Sequence, residues 1–224
     1  YKFPWTGPDL LTELVGWTAL APAGLMCYQS SQLGTEYRGN LFSALFNGHS
    51  VRRHILTRKG ATFENREADF LVCDDVQFHP TDVLEDADGS LLVVETGGWY
   101  RHCCPSATFY RPDVQGAIYR IRRKESHVID DPRGLQLAWD HLTPDQLAGL
   151  LDDSRLAVQQ RAIGQLGKSG VRAIPSLQRV LTQSGSAIAR CQACWAATRI
   201  AHASARSLVR LGLDDSNETV RQVA

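Results

Sequence analysis

The most reactive stretch of the chain lies within six positions and contains Trp99, Arg101, His102, Cys103 and Cys104. Two adjacent thiols can close a strained vicinal disulfide, and strained disulfides are redox-labile. Their thiolates can instead bind a metal together with a histidine, His102 or His79. They can also be two unconnected small residues of a loop. The indole, the guanidinium and the imidazole beside them suit a lid over a planar ligand.

This stretch belongs to an insertion, residues 96–115, between two predicted strands, Leu91–Val94 and Ala117–Arg122. Hairpin loops usually have two to five residues, so a strand pair does not need a connection of this length. Long loops on rigid sheets often carry binding residues. We therefore expect the insertion to form part of a substrate or cofactor rim. The alternatives are a surface loop packed on itself and a plug against the later helices.

Two further residues, His79 and Asp82, come just before and within a predicted strand. A histidine near a carboxylate can act as a base in alcohol oxidation, because it takes the hydroxyl proton as the hydride leaves. Arg101, Arg120 and Arg122 can pair with a carboxylated quinone. The alternatives are a structural His-Pro pair and solvated arginines on an outer strand.

The sequence Asp86-Ala87-Asp88-Gly89 resembles part of a calcium-binding loop, but it lacks the further ligands and the distal glutamate. A tight turn between two strands explains Asp-Gly by itself. We therefore predict no metal site there.

The strands that position these residues form an internal repeat. The matching segments are Pro22–Leu25 with Pro80–Val83, Gly39–Phe42 with Gly89–Leu92, and Val51–Arg53 with Ile118–Arg120. Units of about 40–50 residues with three or four short strands are typical of β-propeller blades. The predicted fold class is mixed, all-β then all-α, and its first part is a partial β-propeller of about two blades. Two unrelated meanders are the alternative.

From Thr143 the apolar residues recur with the period of a helix. Thr143 suits an N-cap and Pro144 suits the first helical position. The sequence Leu-Asp-Asp-Ser occurs at residues 151–154 and again at 213–216. The helices that follow are marked by Val158, Ile188 and Val220, which recur at nearly equal intervals along the chain. This spacing predicts an α-solenoid with two short helices per repeat.

Composition excludes several classes of protein. Lys+Arg and Asp+Glu both number 24, so no net charge favours nucleic acid or an anionic membrane. No run approaches the roughly 18 apolar residues that a transmembrane helix requires. Six cysteines in 224 residues do not make a disulfide scaffold. The chain does not begin with Met and stops within a helical pattern, so we expect it to be an internal piece of a longer protein.

Three stretches together resemble a known family. They are YRGNLFSALFN to GATF (residues 37–63), FHPTDVLEDADGSLLVVETGGWY (78–100) and CCP to RPDVQGAIYRIRR (103–123). They are similar to large planctomycete-type proteins that carry the names membrane-bound dehydrogenase and haem-binding CxxCH protein. Those proteins have a propeller similar to that of quinone-dependent sugar (glucose/sorbosone) dehydrogenases, then HEAT-like repeats, then a cytochrome c segment with a C-x-x-C-H motif. The resemblance covers most of residues 20–224.

The resemblance implies three parts: the C-terminal blades of the propeller at 1–125, a linker at 126–142 and HEAT-like repeats at 143–224. It also implies pyrroloquinoline quinone (PQQ) with calcium in the full-length protein. Haem c would bind only in a segment outside this chain, because Cys191-Gln192-Ala193-Cys194 is followed by Trp195 and lies in an apolar-periodic helix. In methanol dehydrogenase-like enzymes, a different family, a vicinal disulfide stacks on the quinone.

The main functional hypothesis is therefore an oxidoreductase that oxidises a sugar or an alcohol and passes electrons to a cytochrome c segment. Its candidate catalytic residues are His79 and Asp82, and its candidate cofactor-binding residues are Trp99, Arg101, His102, Cys103 and Cys104. The resemblance and the thiol pair imply an extracytoplasmic location, periplasmic or at the cell surface. The alternative is a non-catalytic propeller with HEAT repeats that binds protein or glycan partners.

Overall fold

The computed structural model describes residues 15–17, 20–60, 62–101 and 108–224, with the backbone alone described at 99–101 and 108–110. The chain divides into a sheet unit, Tyr1–Ser126, and a helical unit, His127–Ala224. The predicted order, β-sheet first and helices second, is confirmed. No helix among the described residues combines the length and the apolar character that crossing a membrane requires.

The first sheet is a four-stranded antiparallel meander. Its strands are β1 (Pro22–Cys27), β2 (Leu41–Leu45), β3 (Ser50–Lys59) and β4 (Thr62–Val72), in the order β1-β2-β3-β4. The sequence predicts the first three to within a few residues, but it predicts β4 only near Phe70–Cys73. Polar residues such as Glu64 and Arg66 interrupt the alternation of apolar and polar residues in this long outer strand. The strand is stabilised instead by its pairing with β3.

The second sheet has three antiparallel strands. They are β5 (Pro80–Glu85), β6 (Leu91–Glu95) and β9 (Ala117–Ile121), in the order β5-β6-β9. The predicted Asp88-Gly89 turn joins the first two. Gly89 has a φ of 75°, a left-handed conformation that glycine adopts readily, and its N–H donates to the Asp86 carbonyl.

The insertion between β6 and β9 contains a short hairpin of its own. Its strands are β7 (Trp99–Arg101) and β8 (Thr108–Tyr110), which pair antiparallel. Trp99 lies opposite Tyr110, and Arg101 lies opposite Thr108. The insertion that carries the predicted rim therefore includes a regular pair of strands.

A shared apolar core joins the two sheets. The fully buried members of this core are Tyr28, Phe42, Val51, Val83, Leu91 and Val93. Burial of each large apolar side chain contributes about 1.5–3 kcal/mol. Polar groups fix the register: the Tyr28 hydroxyl donates to the Gly89 carbonyl at 2.6 Å and accepts from the Leu33 N–H at 3.0 Å.

A half-buried carboxylate makes a second link between the sheets. The carboxylate of Glu85, on β5, accepts from the N–H groups of Gln29 and Ser30, which follow β1. Burial raises the pKa of Glu85, although these hydrogen bonds act in the opposite sense. The pairing of the two sheets therefore depends on specific hydrogen bonds as well as on apolar contact.

The helical unit contains six described helices. They are α1 (Pro144–Gly149), α2 (Leu156–Ser169), α3 (Ile174–Gln183), α4 (Ala187–Thr198), α5 (Ala203–Leu211) and α6 (Glu218–Val223). The predicted N-cap is confirmed: Thr143 and Gln146 form a capping box with Pro144 in the first turn. A 3-10 turn, Gly170–Ala173, precedes α3, so Pro175 falls in its first turn, as a late-starting helix requires.

The helical repeat is regular in length, because α2, α4 and α6 begin at positions 156, 187 and 218, which are equally spaced. Val158 and Val220 are fully buried at equivalent positions, and the residue between them in this register is Ala189, which is 4% exposed. Ile188 is 44% exposed. The prediction that Ile188 is the equivalent residue is therefore wrong by one position, because an alanine marks a core position weakly.

Each repeat fixes the loop before its first helix in the same way. The side chain at one helix position donates to a carbonyl six residues earlier: Gln159 to Asp153, Arg190 to Ser184 and Arg221 to Asp215. Arg190 also reaches the next repeat, where its guanidinium holds both carboxylate oxygens of Asp215 at 2.7 and 3.0 Å. This pair connects neighbouring repeats.

Most of the predicted linker, residues 126–142, packs within the helical unit. Trp139 is 6% exposed, and its Nε1 donates to the Gly134 carbonyl at 2.6 Å. The Asp131 carboxylate accepts from the N–H groups of Leu135 and Gln136. Residues after Asp131 are thus a folded approach to the first helix, and the segment without such contacts is shorter than the sequence pattern predicts.

Candidate functional site

Four side chains from two sheets meet at one end of the sheet unit, which we call the histidine end: Phe46, His49, His79 and Glu95. Phe46 and His49 belong to the turn between β2 and β3, where His49 has a φ of 47°. His79 immediately precedes β5, and Glu95 ends β6. Because Pro80 lies opposite Glu95, the start of β5 and the end of β6 coincide. The insertion also begins here.

The two imidazoles at this end lie close together. His79 is 7% exposed, and its ring stacks on that of Phe46 with centroids 4.6 Å apart and an interplanar angle of 14°. The rings of His49 and His79 are 5.3 Å apart. The site therefore presents two imidazole rings packed together on an aromatic ring.

The hydrogen bonds of these rings assign their tautomers. His49 Nδ1 lies 2.6 Å from the Phe78 carbonyl oxygen, and His79 Nδ1 lies 3.4 Å from the Phe46 carbonyl oxygen. A carbonyl oxygen can only accept, so each Nδ1 carries the proton and donates it. In the neutral ring Nε2 is then the basic nitrogen, which is the form that a general base requires.

Glu95 secures the backbone at this end. Its carboxyl group is buried, with the residue 6% exposed, and it accepts from the Gly97 N–H at 2.5 Å. The His79 N–H lies 3.5 Å from the same oxygen. One carboxylate thus ties the end of β6 to the residue that precedes β5.

Glycines close the neck of the insertion. A Cβ on Gly97 would lie 2.4 Å from the Gly116 nitrogen, and a Cβ on Gly98 would lie 2.3 Å from the Arg111 carbonyl oxygen. The Gly98 N–H donates to Val114, and its carbonyl accepts from Arg111. Only glycine allows the two sides of the neck to approach this closely. The hairpin therefore starts directly at the histidine end.

The predicted cofactor-binding residues lie on this hairpin. Trp99 and Arg101 are the first and last residues of β7. His102, Cys103 and Cys104 lie outside the described residues, so the vicinal disulfide stays a prediction.

The predicted catalytic pair is placed in two different environments. His79 belongs to the histidine end. The Asp82 carboxylate accepts from the Val83 N–H at 2.8 Å and lies where a Cβ on Gly24 would be, at 2.4 Å. Asp82 therefore packs between β5 and β1, and its catalytic role stays a prediction.

Sequence reasoning missed His49 and Glu95. The signal for Glu95 was a single acid at the end of an apolar strand, Leu-Leu-Val-Val-Glu. For His49 the signal was its place after Asn47-Gly48, in a turn that demands unusual backbone angles. Neither signal shows by itself that the residues meet, because residues 49 and 95 belong to different sheets.

Two predicted cations are engaged elsewhere. Arg120 forms ion pairs with Asp86 at 2.7 Å and Asp88 at 3.2 Å, and Arg122 pairs with Asp88 at 2.6 Å. Burial by itself would raise the pKa of Asp88, but hydrogen bonds from Ser90 and both guanidinium groups hold it below its usual value. These arginines therefore stabilise the β5–β6 turn. Within the described part of the chain no three His, Cys, Asp or Glu residues form a metal-binding group.

A third histidine, His54, lies inside the first sheet and provides a contrast. His54 is 4% exposed, and its Nε2 lies 2.8 Å from the Ser43 hydroxyl. Burial lowers the pKa of His54. A serine beside a histidine is the pairing of a nucleophile with its base. Ser43 is 2% exposed, so in this conformation a substrate cannot reach it.

Two family models match the chain, one in each of its two units. Residues 14–126 match a family described as a domain of unknown function, DUF7133, and residues 143–224 match HEAT repeats. The chain therefore belongs to the DUF7133 family, and residues 143–224 of its helical unit are HEAT repeats. The predicted HEAT-like region is confirmed, whereas the haem-binding planctomycete family stays a prediction.

Curated protein sequences give no match. Among solved structures the chain is similar to one described as a candidate oxidoreductase (glucose dehydrogenase) from Thermus thermophilus. The identity is 21% and the TM-score is 0.36, over 51% of this chain and 30% of that chain. A likeness at this level assigns no activity.

Proposed function

We propose that the sheet unit is two neighbouring blades of a β-propeller and that the histidine end is part of its ligand mouth. In this proposal the protein is a quinone-dependent sugar or alcohol dehydrogenase-like oxidoreductase. The observation that carries it is the convergence of two histidines and the glycine-necked insertion at one end of two repeated sheets. The sequence resemblance described above supplies the class of reaction.

The two sheets support the blade assignment because they share a plan. Each begins at a proline, Pro22 or Pro80, and each has a pairing irregularity immediately after it. Each continues into an apolar strand and then an arginine-bearing strand. The second sheet differs by the insertion and by the lack, within the described residues, of a strand that pairs with β9 as β4 pairs with β3.

The positions of the loops support the ligand mouth. In a propeller the loop before the first strand of a blade and the loop between its second and third strands open on the same side. His79 lies before β5, His49 lies between β2 and β3, and the insertion lies between β6 and β9. All three therefore belong to loops that open on the same side of a propeller, where ligands bind.

The chemistry assigned to the site is proton abstraction. We propose that His79, with His49 beside it, takes the hydroxyl proton of a sugar or an alcohol at Nε2. Trp99, Arg101 and the thiol pair would form the lid over the cofactor, and Glu95 would hold the strand ends in place. A quinone such as PQQ would accept the hydride when bound. The cofactor would need calcium ligands from residues beyond those that the structure describes.

Electron transfer to a cytochrome c segment outside the chain and an extracytoplasmic location belong to the same proposal. Both rest on the family resemblance. Within the chain itself, Cys194 is fully buried, and burial raises its pKa to about 11. The Cys191–Cys194 pair therefore acts as part of the helical core.

A PQQ titration in the presence of calcium tests the proposal on the intact protein. We expect saturable binding, measured as quenching of the protein's fluorescence. The variant His79→Gln should weaken this binding by about tenfold, which corresponds to about 1.4 kcal/mol. His54→Gln is the matched control, since it removes an equally buried imidazole from the same unit. Binding that is absent, or that both variants weaken equally at unchanged melting temperature, would contradict the proposal.

A second candidate function is a non-catalytic module that binds protein or glycan partners. Its support is a groove between α4 and α6 in which Trp195 and Ile188 are 51% and 44% exposed. Solvent-exposed aromatic side chains are typical of binding surfaces. A protein that binds no quinone but loses a partner on Trp195→Ala would favour this function.

A further inference from the structure

The helical unit has an unequal distribution of charge. Residues 154–213 contain no Asp or Glu. The same stretch contains nine basic residues: Arg155, Arg161, Lys168, Arg172, Arg179, Arg190, Arg199, Arg206 and Arg210. The chain as a whole is neutral, so this stretch stands out against a balanced background.

Four of these cations have partners within the unit. Three form ion pairs: Arg155 with Asp153, Arg179 with Asp145, and Arg190 with Asp215. The Arg161 guanidinium lies over the Trp139 ring at 4.4 Å. These side chains serve the fold.

Four of the remaining cations lie at one end of the helices, which we call the basic end: Lys168, Arg172, Arg199 and Arg206. Lys168 and Arg199 occupy equivalent positions in successive repeats, where α2 and α4 end. A Cβ on Gly167, the residue before Lys168, would lie 2.8 Å from the Arg199 Cβ, so Arg199 packs against the last turn of α2. Arg172 lies in the 3-10 turn before α3, and Arg206 lies early in α5.

The basic end is open to solvent. All four residues are exposed, and among the described residues no hydrogen bond or ion pair engages their charged side-chain groups. The amino-terminal ends of α3 and α5 lie at this end together with the carboxyl-terminal ends of α2 and α4, so the helix dipoles oppose one another and the positive potential comes from the four side chains. Like charges held together without counter-ions cost stability, which a bound anion would restore.

The opposite end of the helices is acidic but already neutralised in part. Asp153 and Asp215 accept from Arg155 and Arg190, and these hydrogen bonds lower the pKa of both carboxyl groups. The two ends are separated by the length of α2, roughly 20 Å. An anionic partner is therefore attracted to one end of the unit only.

We infer that the basic end binds a carboxylate-rich segment of a partner protein. Arginine pairs with carboxylates bidentately, and three of the four side chains are arginines. Nucleic acid fits less well, because it commonly engages about 6–10 phosphates and would extend toward the acidic end. A lipid surface fits less well because the exposed aromatic ring of α4, Trp195, lines the groove toward Asn217 and Thr219 of the acidic end. The inference is independent of the dehydrogenase proposal.

Fluorescence anisotropy on the intact protein tests the inference with a labelled decapeptide of alternating Glu and Asp. We expect binding that weakens with added salt. The double variant Lys168→Gln/Arg199→Gln should weaken it by about tenfold, since each exposed pair contributes up to about 1 kcal/mol. A second double variant, Arg172→Gln/Arg206→Gln, should have the same effect. All four positions are exposed and their removal relieves repulsion between like charges, so the melting temperature should not fall.

The matched control removes two exposed cations outside the basic end, Arg123→Gln/Lys124→Gln, and should change the affinity less than about twofold. A decapeptide of Gln and Asn should not bind. Equal losses in the control and in the basic-end variants would overturn the inference. Tighter binding of duplex DNA, or of vesicles with anionic lipid, than of the acidic peptide would overturn it in favour of those partners.

Discussion

The sheet unit and the helical unit are both built from repeats, but their repeats tolerate change differently. The helical repeats keep a constant length, because each helix must stack on the same place of its neighbour. The repeated strands of the sheet unit are offset unequally, since β1, β2 and β3 begin at 22, 41 and 50 whereas β5, β6 and β9 begin at 80, 91 and 117. Loops at strand ends can lengthen without moving the strands. That freedom explains why candidate binding residues cluster at an end of the sheets.

The polar links of the two units also differ. Neighbouring helical repeats are joined by a charged pair, Arg190 with Asp215, in which the side chains are 12% and 9% exposed. The sheets are joined by hydrogen bonds between backbone groups and the side chains of Tyr28 and Glu85. Neighbouring helical repeats are therefore linked by a charged pair, whereas the two sheets are linked by side chains that bind backbone groups of loops.

The largest expected effect comes from breaking the charged pair. Arg190→Ala should lower the free energy of unfolding of the helical unit by about 2 kcal/mol, because it leaves the Asp215 carboxylate without its main partner. Chemical denaturation monitored by hydrogen exchange in α4 and α6 measures this. The double variant Arg190→Ala/Asp215→Ala should recover part of the loss, and an additive result would show that the two side chains do not interact.

A smaller effect is expected from the neutral link. Tyr28→Phe keeps the ring in the core but removes the hydroxyl that binds Gly89 and Leu33. The free energy of unfolding of the sheet unit should fall by about 1 kcal/mol, with faster exchange in β1 and β5. Tyr37→Phe is the control, since that ring packs on Phe42 and Phe70 at a less buried site. Equal losses in the two variants would show that the Tyr28 hydroxyl has no special role.

The two units should also respond to acid in different ranges. Burial lowers the pKa of His54 from its ordinary value of 6.5, so the folded sheet unit favours the neutral ring. Its contribution to stability is present above pH 6.5 and is lost as the pH falls below that value. Asp153 and Asp215 have lowered pKa values, so the stability that they contribute is present above their ordinary value of 3.8 and is lost only as the pH falls below it.

Hydrogen exchange between pH 7 and pH 5 tests this difference. We expect the sheet unit to lose protection while the helical unit keeps it, and we expect His54→Gln to remove the loss. The raised pKa of Glu85 makes the sheet unit more stable as the pH falls, which opposes the effect of His54. The decisive quantity is therefore the difference between the original protein and His54→Gln in how steeply protection changes with pH. Equal slopes with and without His54 would contradict the assignment.

The smallest perturbation is a single cut between the units. Residues 122–126 have no strand or helix, and Arg123 and Lys124 are exposed, so brief trypsin treatment should cleave there first. Arg133 should resist because its segment packs with Trp139 and Arg155. If trypsin instead cleaved first after Arg133, the linker would be as long as the sequence pattern predicts.

Most of the strands and helices could be predicted from the sequence, because local signals mark them. Prolines begin β1 and β5, Asp88-Gly89 joins β5 to β6, and Thr143-Pro144 begins α1. Features that depend on contacts between distant segments could not be predicted. The β7–β8 hairpin, the burial of Trp139 and the alanine register of α4 are of this kind.

The candidate site shows the same division. The insertion and His79 could be identified from residue type and spacing. His49 and Glu95 join them only through the packing of two sheets. Arg120 and Arg122 form their ion pairs only because the β5–β6 turn folds next to β9. The sequence does not show this contact, so it suggested a ligand as their partner.

The most direct test of the account is whether a quinone reaches the histidine end. Side-chain NMR of the intact protein with isotope-labelled histidine separates His49, His79 and His54 once single His→Gln variants assign their signals. On addition of PQQ with calcium, we expect the signals of His49 and His79 to shift together in a saturable manner while that of His54 stays fixed. Signals of His49 and His79 that do not move, or that move no more than that of His54, would contradict it.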